Sequence, residues 1–172
     1  MKYKELYEAD IFRSGAGKTR WKKQFFYYFR RSSTTGGVKS YYYRWRFKLI
    51  KEKKGIDIGY NTKIGKGLYL GHPWNITINS AAEIGDNCNI HKGVVIGQEN
   101  RGRRKGVPII GDEVWIGINA VIVGNIKIGN DVLIAPNSYV NFDVPDHSIV
   151  FGNPGMIKQV ENATKDYINN KV

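Results

Sequence analysis

The segment Ile110–Ile134 reads IGDEVWIGINAVIVGNIKIGNDVLI, and an isoleucine returns in it at every sixth position. Glycine often follows the aliphatic residue directly, as at Gly111, Gly117 and Gly129. The same period extends in both directions along the chain, over the aliphatic residues Ile58, Ile64, Leu70, Ile76, Ile78, Ile84, Ile90, Ile96, Ile110, Ile116, Ile122, Ile128, Ile134 and Val140.

A six-residue period fits neither an α-helix nor a simply alternating strand. It is typical of an all-β solenoid of hexapeptide repeats, in which each hexad forms one short strand and one corner. The aliphatic residue is expected to fill the interior, while each coil pairs its backbone with its neighbours. We expect glycine at the corner to adopt backbone angles closed to most residues.

The repeat slips in phase twice. The first slip is of two residues, between Ile76 and Ile78, and it closely follows His72. The second leaves fourteen residues from Ile96 to Ile110, eight more than one hexad needs. It predicts a loop over 98–108 that projects from the solenoid and carries the cations Arg101, Arg103, Arg104 and Lys105. Loops held on a rigid scaffold often carry function.

The net charge of +12 is confined to the first third of the chain. Residues 1–54 hold sixteen Lys and Arg against four acids, with fourteen of the 22 aromatic residues, whereas the rest is balanced at eleven against eleven. We therefore predict a basic, aromatic-rich helical segment over 1–54, a β-solenoid over 55–152 and a C-terminal tail over 153–172. One cysteine excludes a disulfide framework, and the absence of a secretory signal pattern favours a cytoplasmic protein.

Two short helices are predicted in the first segment, separated by the helix-breaking stretch 32–37. In the second helix Tyr42, Trp45 and Leu49 recur at helical spacing. The segment is interpreted either as a cap over the first coil or as a peripheral membrane contact, with cations for anionic headgroups and aromatics at the acyl boundary. Nucleic acid is disfavoured because no recognition motif accompanies the charge.

The phrases IGYNTKIGKGLYLGH and IGDNCNIHKGVVIG, the projecting loop and the ending FGNPGMI resemble the left-handed β-helix acyltransferases. Within them the chain is most similar to the serine acetyltransferases and the related polysaccharide O-acetyltransferases, over roughly residues 38–160. The resemblance implies a left-handed helix, a homotrimer and acetyl-CoA as the acyl donor. It also implies catalysis by a histidine that follows an aspartate by fifteen residues, as His72 follows Asp57.

The chemistry of such a histidine can be argued independently. Acetyl transfer from a thioester to a hydroxyl requires a base that removes the hydroxyl proton, and neutral imidazole suits this task near pH 7. A carboxylate on the other ring nitrogen fixes the tautomer and stabilises the imidazolium. The alternative for His72 is a surface residue at a tolerant corner. Asp57 in register and the nearby loop favour catalysis.

The other reactive side chains have weaker claims. His91 is a candidate for contact with the acceptor, whereas His147 is interpreted as structural. No metal is expected, because the three histidines lack the close pair that the γ-class carbonic anhydrases use. Cys88 occupies a small inward position and is interpreted as core filler, which favours direct attack over an acyl-enzyme.

The resemblance also implies where coenzyme A binds, in a groove between neighbouring subunits. The positions matched in this way are Gly97, Gly117, Ile118 and Pro136, which act mainly through the backbone. Three cations are candidates for its phosphates, namely Lys158, Arg103 and Arg104, with a solvated charge run as the alternative.

The acceptor is predicted to be a saccharide hydroxyl of a cell-surface polysaccharide or its precursor. Serine acetyltransferases carry an acidic residue directly before the catalytic histidine, where this chain has Gly71. They also carry an arginine and a histidine before the proline that ends the loop, where Gly106 and Val107 precede Pro108 here. Trp74 offers a flat face for a sugar ring or, alternatively, packs at a subunit interface. Serine O-acetylation, as in cysteine biosynthesis, is the enzymatic alternative, and a non-catalytic trimeric scaffold is the alternative from another class.

Overall fold

The computed structural model describes residues 3–15 and 19–172. Three α-helices come first, α1 (Tyr3–Arg13), α2 (Arg20–Thr34) and α3 (Val38–Glu52). Fifteen short strands follow, namely β1 (Asp57–Ile58), β2 (Lys63–Ile64), β3 (Tyr69–Gly71), β4 (Thr77–Ile78), β5 (Glu83–Ile84), β6 (Asn89–His91), β7 (Val95–Gly97), β8 (Ile109–Ile110), β9 (Trp115–Ile116), β10 (Val121–Val123), β11 (Lys127–Ile128), β12 (Val132–Ile134), β13 (Tyr139–Val140), β14 (Ser148–Phe151) and β15 (Met156–Gln159).

The strands form a parallel β-solenoid with three flat sides, as the hexad period predicts. Side A stacks β1-β4-β7-β10-β13, side B stacks β2-β5-β8-β11, and side C stacks β3-β6-β9-β12-β14, with β15 antiparallel at its end. All the aliphatic residues of the predicted repeat are buried. They stack in register, for instance Ile58 on Ile78, Ile78 on Ile96 and Ile96 on Ile122.

The glycines that follow the buried aliphatic residues are needed for a different reason from the one predicted. They have negative φ, so the expectation of special backbone angles was wrong for them. They lie where successive coils touch: a Cβ on Gly117 would come within 2.6 Å of the Pro136 nitrogen, and one on Gly85 within 2.6 Å of the Gly111 carbonyl carbon. Only a residue without a side chain allows this approach.

Left-handed backbone angles occur instead at other turn positions, mostly at glycine, asparagine and aspartate. At the corner between sides C and A, the residues with φ between 53° and 72° stack as Gly55, Asn75, Gly93, Asn119 and Asn137. Asparagine tolerates this conformation better than other residues with a side chain. The turn at this corner is therefore formed by a stack of Asn and Gly residues, one in each coil, which the hexad pattern alone does not reveal.

The predicted loop is present and leaves the corner between sides A and B. Glu99 and Gly106 close its base with a pair of backbone hydrogen bonds of 2.9 and 3.0 Å. Arg104 ties it further, because its Nε donates to Glu99 Oε2 at 3.2 Å and its carbonyl accepts from the Asn125 N–H. Arg101 and Arg103 remain exposed. The loop is thus a braced projection with cations at its tip.

The helices cover the open end of the first coil. Phe25, Phe26, Phe29 and Phe47 are buried and continue the core formed by the first coil. The helix α1 is additional to the two predicted helices, and its buried residues are polar ones, which is why no apolar pattern indicated it.

A buried ion pair fastens the cap to the solenoid. Arg30 Nε lies 2.7 Å from Asp10 Oδ2, and both side chains are almost fully buried. The guanidinium also donates to the carbonyls of Ile64 and Gly65, at 2.6 Å each, while Asp10 accepts from the Leu68 N–H at 2.8 Å. These backbone groups lie at the end of the solenoid, where no further coil can pair with them, and the two side chains provide their hydrogen-bond partners instead.

The outer face of α3 is not covered. Tyr42, Trp45 and Leu49, the face that the sequence picked out, are exposed, whereas Phe47 and Ile50 are the residues that pack inward. Across the described ranges, no helix combines the length and apolar character needed to cross a bilayer.

Candidate active site

The two-residue slip places His72 on an outward bulge at the corner between sides C and A. Gly71 pairs with His91 in the register of β3 with β6, and Thr77 pairs with Val95 in that of β4 with β7. The first coil therefore advances six residues around this corner, whereas the second advances four. Ile76 therefore belongs to the turn that precedes side A and not to a strand of its own. His72 is exposed, as predicted.

The backbone of His72 is itself in the left-handed region, with φ of 49°. It stands outside the column of Asn and Gly that occupies this conformation in every coil, since Asn75 fills that position here. The Trp74 N–H donates to the His72 carbonyl at 2.8 Å and closes a tight turn around Pro73. Non-glycine residues held in this way concentrate at functional sites.

Asp57 lies next to this bulge but does not contact His72 through a hydrogen bond in the described part of the chain. Its backbone N–H donates to the Ile76 carbonyl at 2.7 Å. Its carboxylate is largely exposed and accepts from Lys51 Nζ at 3.1 Å. The structure thus brings Asp57 and His72 to the same corner, while the predicted carboxylate–imidazole contact is replaced by a contact to Lys51.

Side A forms a shallow groove that links Asp57 to the loop. The groove has a volume of about 330 Å³ and is lined by Asp57, Thr77, Ser80 and Gly97 among others. Gly97 is the last residue before the projecting loop. Two predicted site residues, one from the catalytic pair and one from the donor set, therefore share one surface.

Trp74 is exposed on the bulge and has one occupied face. Lys54 Nζ lies 3.6 Å from the centre of its ring, a close cation–π contact. The Lys54 carbonyl also accepts from the Asn75 N–H at 2.9 Å. The cap therefore orients the tryptophan, and its opposite face is the one available to a ligand.

His91 fills the space that a side chain on Gly71 would need. A Cβ on Gly71 would come within 2.7 Å of His91 Nδ1. The imidazole packs against Trp115, with ring centres 4.6 Å apart, and against Tyr69, and its Nε2 is buried without a hydrogen-bond partner among the described residues. Burial, and then the nearby His72, lower the pKa of His91 to about 4. It is a neutral ring at physiological pH.

This buried histidine should make the protein sensitive to acid. The unfolded chain binds a proton on His91 near its ordinary pKa of 6.5, whereas the folded protein resists protonation until about pH 4. The free energy of unfolding should therefore fall as the pH drops through this window, by on the order of 1–2 kcal/mol once solvent screening is allowed for. His91→Phe should remove most of that fall, as measured by urea unfolding at pH 7 and pH 4.5.

His147→Asn provides the matched control. His147 Nδ1 lies 2.8 Å from Asp131 Oδ2, and this hydrogen bond raises the pKa of His147. A raised pKa stabilises the folded state on the acid side, so this variant should lose stability at pH 4.5 relative to wild type. An acid-induced fall that persists unchanged in His91→Phe would contradict the buried, neutral state of that ring.

The predicted donor residues divide into three groups on the surface of one chain. Gly117, Ile118 and Pro136 stack on the corner above His72, with Gly117 buried and the other two exposed. Gly97, Arg103 and Arg104 lie at the other edge of side A, at the projecting loop. Lys158 is exposed on β15, opposite Ile149 in register. These three groups of predicted donor residues therefore lie apart from one another on the surface of the described chain.

Cys88 is excluded as a nucleophile by its surroundings. The thiol is buried, its Sγ lies 3.2 Å from the Gly111 carbonyl oxygen, and burial raises its pKa to about 12. A thiolate is therefore not accessible at physiological pH.

Sequence patterns missed the two cations that contact Asp57 and Trp74. Lys51 and Lys54 reach Asp57 and Trp74 only because α3 docks against the first coil. The composition of residues 1–54 showed that cations are abundant there, but not which of them face the site.

Comparisons of the sequence with known proteins match part of the chain. A family model described as bacterial transferase hexapeptide (six repeats) matches residues 108–141. The serine acetyltransferase of Staphylococcus aureus is 44% identical over 103 residues, which are 60% of this chain and 48% of that protein. The chain spans about half the length of the curated relatives it matches.

Solved structures are similar over more of the chain. The soybean serine acetyltransferase apoenzyme matches with a TM-score of 0.72 and 26% identity, over 91% of this chain and 69% of that one. A serine acetyltransferase of Neisseria gonorrhoeae in complex with serine matches with a TM-score of 0.70 and 28% identity, again over 91% and 69%. These relatives do not support the predicted polysaccharide branch, and their names favour serine, the alternative acceptor.

Proposed function

Because the chain belongs to the hexapeptide-repeat superfamily of left-handed β-helix acyltransferases, we propose that it transfers acetyl from acetyl-CoA to a hydroxyl, with His72 as general base. One observation carries this proposal: the chain inserts two residues into an otherwise regular corner, and the insertion holds His72 outward in a left-handed conformation beside Asp57. A structural corner needs no such insertion, since the other coils turn here without it.

The reaction proceeds by direct attack. The His72 imidazole accepts the hydroxyl proton while the acceptor oxygen bonds to the thioester carbonyl carbon. The tetrahedral oxyanion then collapses, the carbon–sulfur bond breaks, and the coenzyme thiolate takes the proton from the imidazolium. Asp57 serves to orient the imidazole once its carboxylate turns from Lys51 towards the bulge. A buried Cys88 with a raised pKa is consistent with the absence of an acyl-enzyme step.

Coenzyme A is proposed to lie along the corner that carries the exposed residues Ile118 and Pro136, beside the buried Gly117. The cations at the loop, Arg103 and Arg104, would reach it from a neighbouring subunit of a homotrimer. This arrangement explains why the two halves of the donor site lie at opposite edges of side A in one chain. Acetyl-CoA as the donor is the reason to propose that the reaction takes place in the cytoplasm.

Serine is the acceptor that the names of the relatives favour. A saccharide hydroxyl is the second candidate, and one contact favours it. No acidic side chain fits before His72, because His91 fills that space as a neutral ring. With Val107 before the proline as well, neither end of a zwitterion finds the charged partner expected at these two positions. Trp74 offers a sugar ring one free face.

An acceptor panel separates the two candidates. Release of free thiol from acetyl-CoA is measured with serine and with mono- and oligosaccharides, at pH 7.5, with the wild-type protein. Activity on serine would show that backbone groups and the cap bind the ammonium and carboxylate of serine in place of charged side chains at positions 71 and 107. Activity on saccharides alone would assign the neutral His91 and Gly71 pair to acceptor choice. Thiol release that is the same with and without any acceptor would contradict acetyl transfer.

A peripheral membrane contact is the remaining part of the proposal. The exposed residues Tyr41, Tyr42, Trp45 and Leu49 lie along α3 among cations. Such a face suits the interface of an anionic bilayer. It would bring an acceptor that is anchored in a membrane close to the bulge.

A further inference from the structure

A second cavity lies between α3 and the first coil, at the edge of side A where Gly59 and Tyr60 follow β1. Its volume is about 320 Å³. The side chains that line it are basic, aromatic or aliphatic, namely Arg44, Trp45, Phe47, Lys48, Lys51 and Tyr60, together with Ile58 and Gly59 of the solenoid. Gly59 also lines the groove of side A that contains Asp57, so the cavity and that groove adjoin.

The charges in this cavity are only partly compensated. Lys51 is engaged with Asp57 Oδ1 and with the Ile58 carbonyl, at 3.1 and 3.0 Å. Lys48 has only a distant partner, Glu52 at 4.0 Å, with both side chains more than half exposed. Such a pair contributes little.

Arg44 has no carboxylate partner among residues 3–15 and 19–172. Its guanidinium lies 4.1 Å from the centre of the Tyr60 ring, and its Nε is buried without a hydrogen-bond partner there. An anionic oxygen in the cavity would accept hydrogen bonds from the terminal N–H groups of this guanidinium. No acidic side chain lines the cavity.

We propose that this cavity binds the phosphate of a phosphorylated acceptor, with Arg44 and Lys48 as its ligands. The inference rests on the acetyl transfer proposed above and names the class of acceptor. An arginine fork and a flexible ammonium together match a dianion better than a single carboxylate. The aromatic walls, Trp45 and Tyr60, accommodate the ring or apolar group that carries the phosphate. The acceptor hydroxyl then extends past Asp57 towards His72.

A free amino acid does not fit this site. Its carboxylate would find cations, but its ammonium would face a lining without an acid. The site requires an anionic group for its cations and no cationic group, because no acid lines it. A saccharide phosphate fits, since its phosphate is anionic and the remainder is neutral. The exposed aromatic face of α3 adjoins the cavity, so the phosphate can be free in solution or linked to an apolar chain in a membrane.

Binding of inorganic phosphate, measured by calorimetry without acetyl-CoA, tests the site directly. Arg44→Ala/Lys48→Ala should weaken binding about tenfold or more, because two charge-assisted contacts are lost. Lys39→Ala/Lys53→Ala is the matched control, since it removes two exposed cations at either end of the same helix, outside the cavity, and should leave binding unchanged. Arg103→Ala/Arg104→Ala reports on the separate donor site.

Equal losses in the cavity variant and the matched control would overturn the proposal, as would loss of phosphate binding only in the loop variant. A change in the oligomeric state of the Arg44→Ala/Lys48→Ala variant would instead identify the cavity as a contact between copies of the chain, which would also overturn it. Unchanged thermal unfolding of that variant shows that it is folded.

Acetylation assays then identify the source of the phosphate. Glucose 1-phosphate represents the soluble form of the phosphate, and dodecyl phosphate in phosphatidylcholine vesicles represents the membrane-linked form. Each is added as a competitor of the acetylated acceptor. Inhibition of acetyl transfer by only one of them assigns the source of the phosphate. Equal KM for glucose and glucose 1-phosphate would refute the phosphate site while leaving acetyl transfer intact. Arg44-dependent phosphate binding without any acetylated product would refute the transfer and leave the site.

Discussion

His72→Ala is expected to lower kcat for acetyl transfer by about 10²–10⁴-fold, the range for loss of a general base. The KM for acetyl-CoA should change little, because the proposed donor residues lie on other coils and at the loop. The imidazole acts only once the hydroxyl begins to attack, so its loss should appear in the chemical step. Initial rates of thiol release over a range of acetyl-CoA concentrations measure both constants.

The left-handed backbone of His72 makes a second variant necessary. Alanine is strained at φ of 49°, whereas asparagine tolerates it, so His72→Asn removes the base with less disturbance of the bulge. His147→Asn is the matched control, because His147 is also exposed and has φ of 55° but lies at another corner. Activity within a few-fold of wild type in His72→Asn would eliminate His72 as the base.

Arg30→Met is expected to lower the free energy of unfolding by about 3–5 kcal/mol, the cost of leaving a buried partner charge uncompensated. Asp10 would remain buried without its ion-pair partner, and the carbonyls of Ile64 and Gly65 would lose the donors that Arg30 supplies. Urea unfolding at pH 7 measures the change. The cap should loosen from the first coil before the solenoid unfolds, because Asp10 and Arg30 join α1 and α2 to the backbone of that coil.

The double variant Asp10→Asn/Arg30→Met separates charge from packing. It removes both charges, so it should be more stable than Arg30→Met alone even though it alters more atoms. Destabilisation below about 1 kcal/mol in Arg30→Met would show that the pair contributes little to the cap. A double variant as unstable as the sum of the two single variants would show that the charges do not interact.

The solenoid was predictable because its interior repeats. Each buried aliphatic residue meets the equivalent residue one coil away, so the six-residue period in the sequence is the stacking seen in the fold. The departures from the period were equally informative, since the long interval before Ile110 gave the projecting loop and the short slip after His72 gave the bulge. What the period could not supply was the steric role of the glycines, which depends on contact between coils.

The cap was harder to predict because its contacts are tertiary. The helix α1 buries Asp10 and Arg13, whose polar character hid its inner face. The apolar stripe of α3 marked the face that is exposed, whereas Phe47 and Ile50 on another face pack inward. Lys51, Lys54 and Arg44 reach the site through this docking, and so no local pattern identified them.

The candidate base followed from spacing, whereas the surroundings of His91 required the structure. The interval between Asp57 and His72 is visible in one line of sequence. His91 occupies the space that a side chain at position 71 would need. This contact depends on the register between β3 and β6, which the two-residue insertion shifts.

The most direct test is to incubate the wild-type protein with acetyl-CoA and the acceptor panel, and then to record the masses of the acceptors and of the protein. The account predicts one acetyl group on a hydroxyl of an acceptor, one free thiol released for each, and a protein of unchanged mass. Acetylated protein, or no acetylated acceptor from a folded protein, would contradict direct transfer by His72.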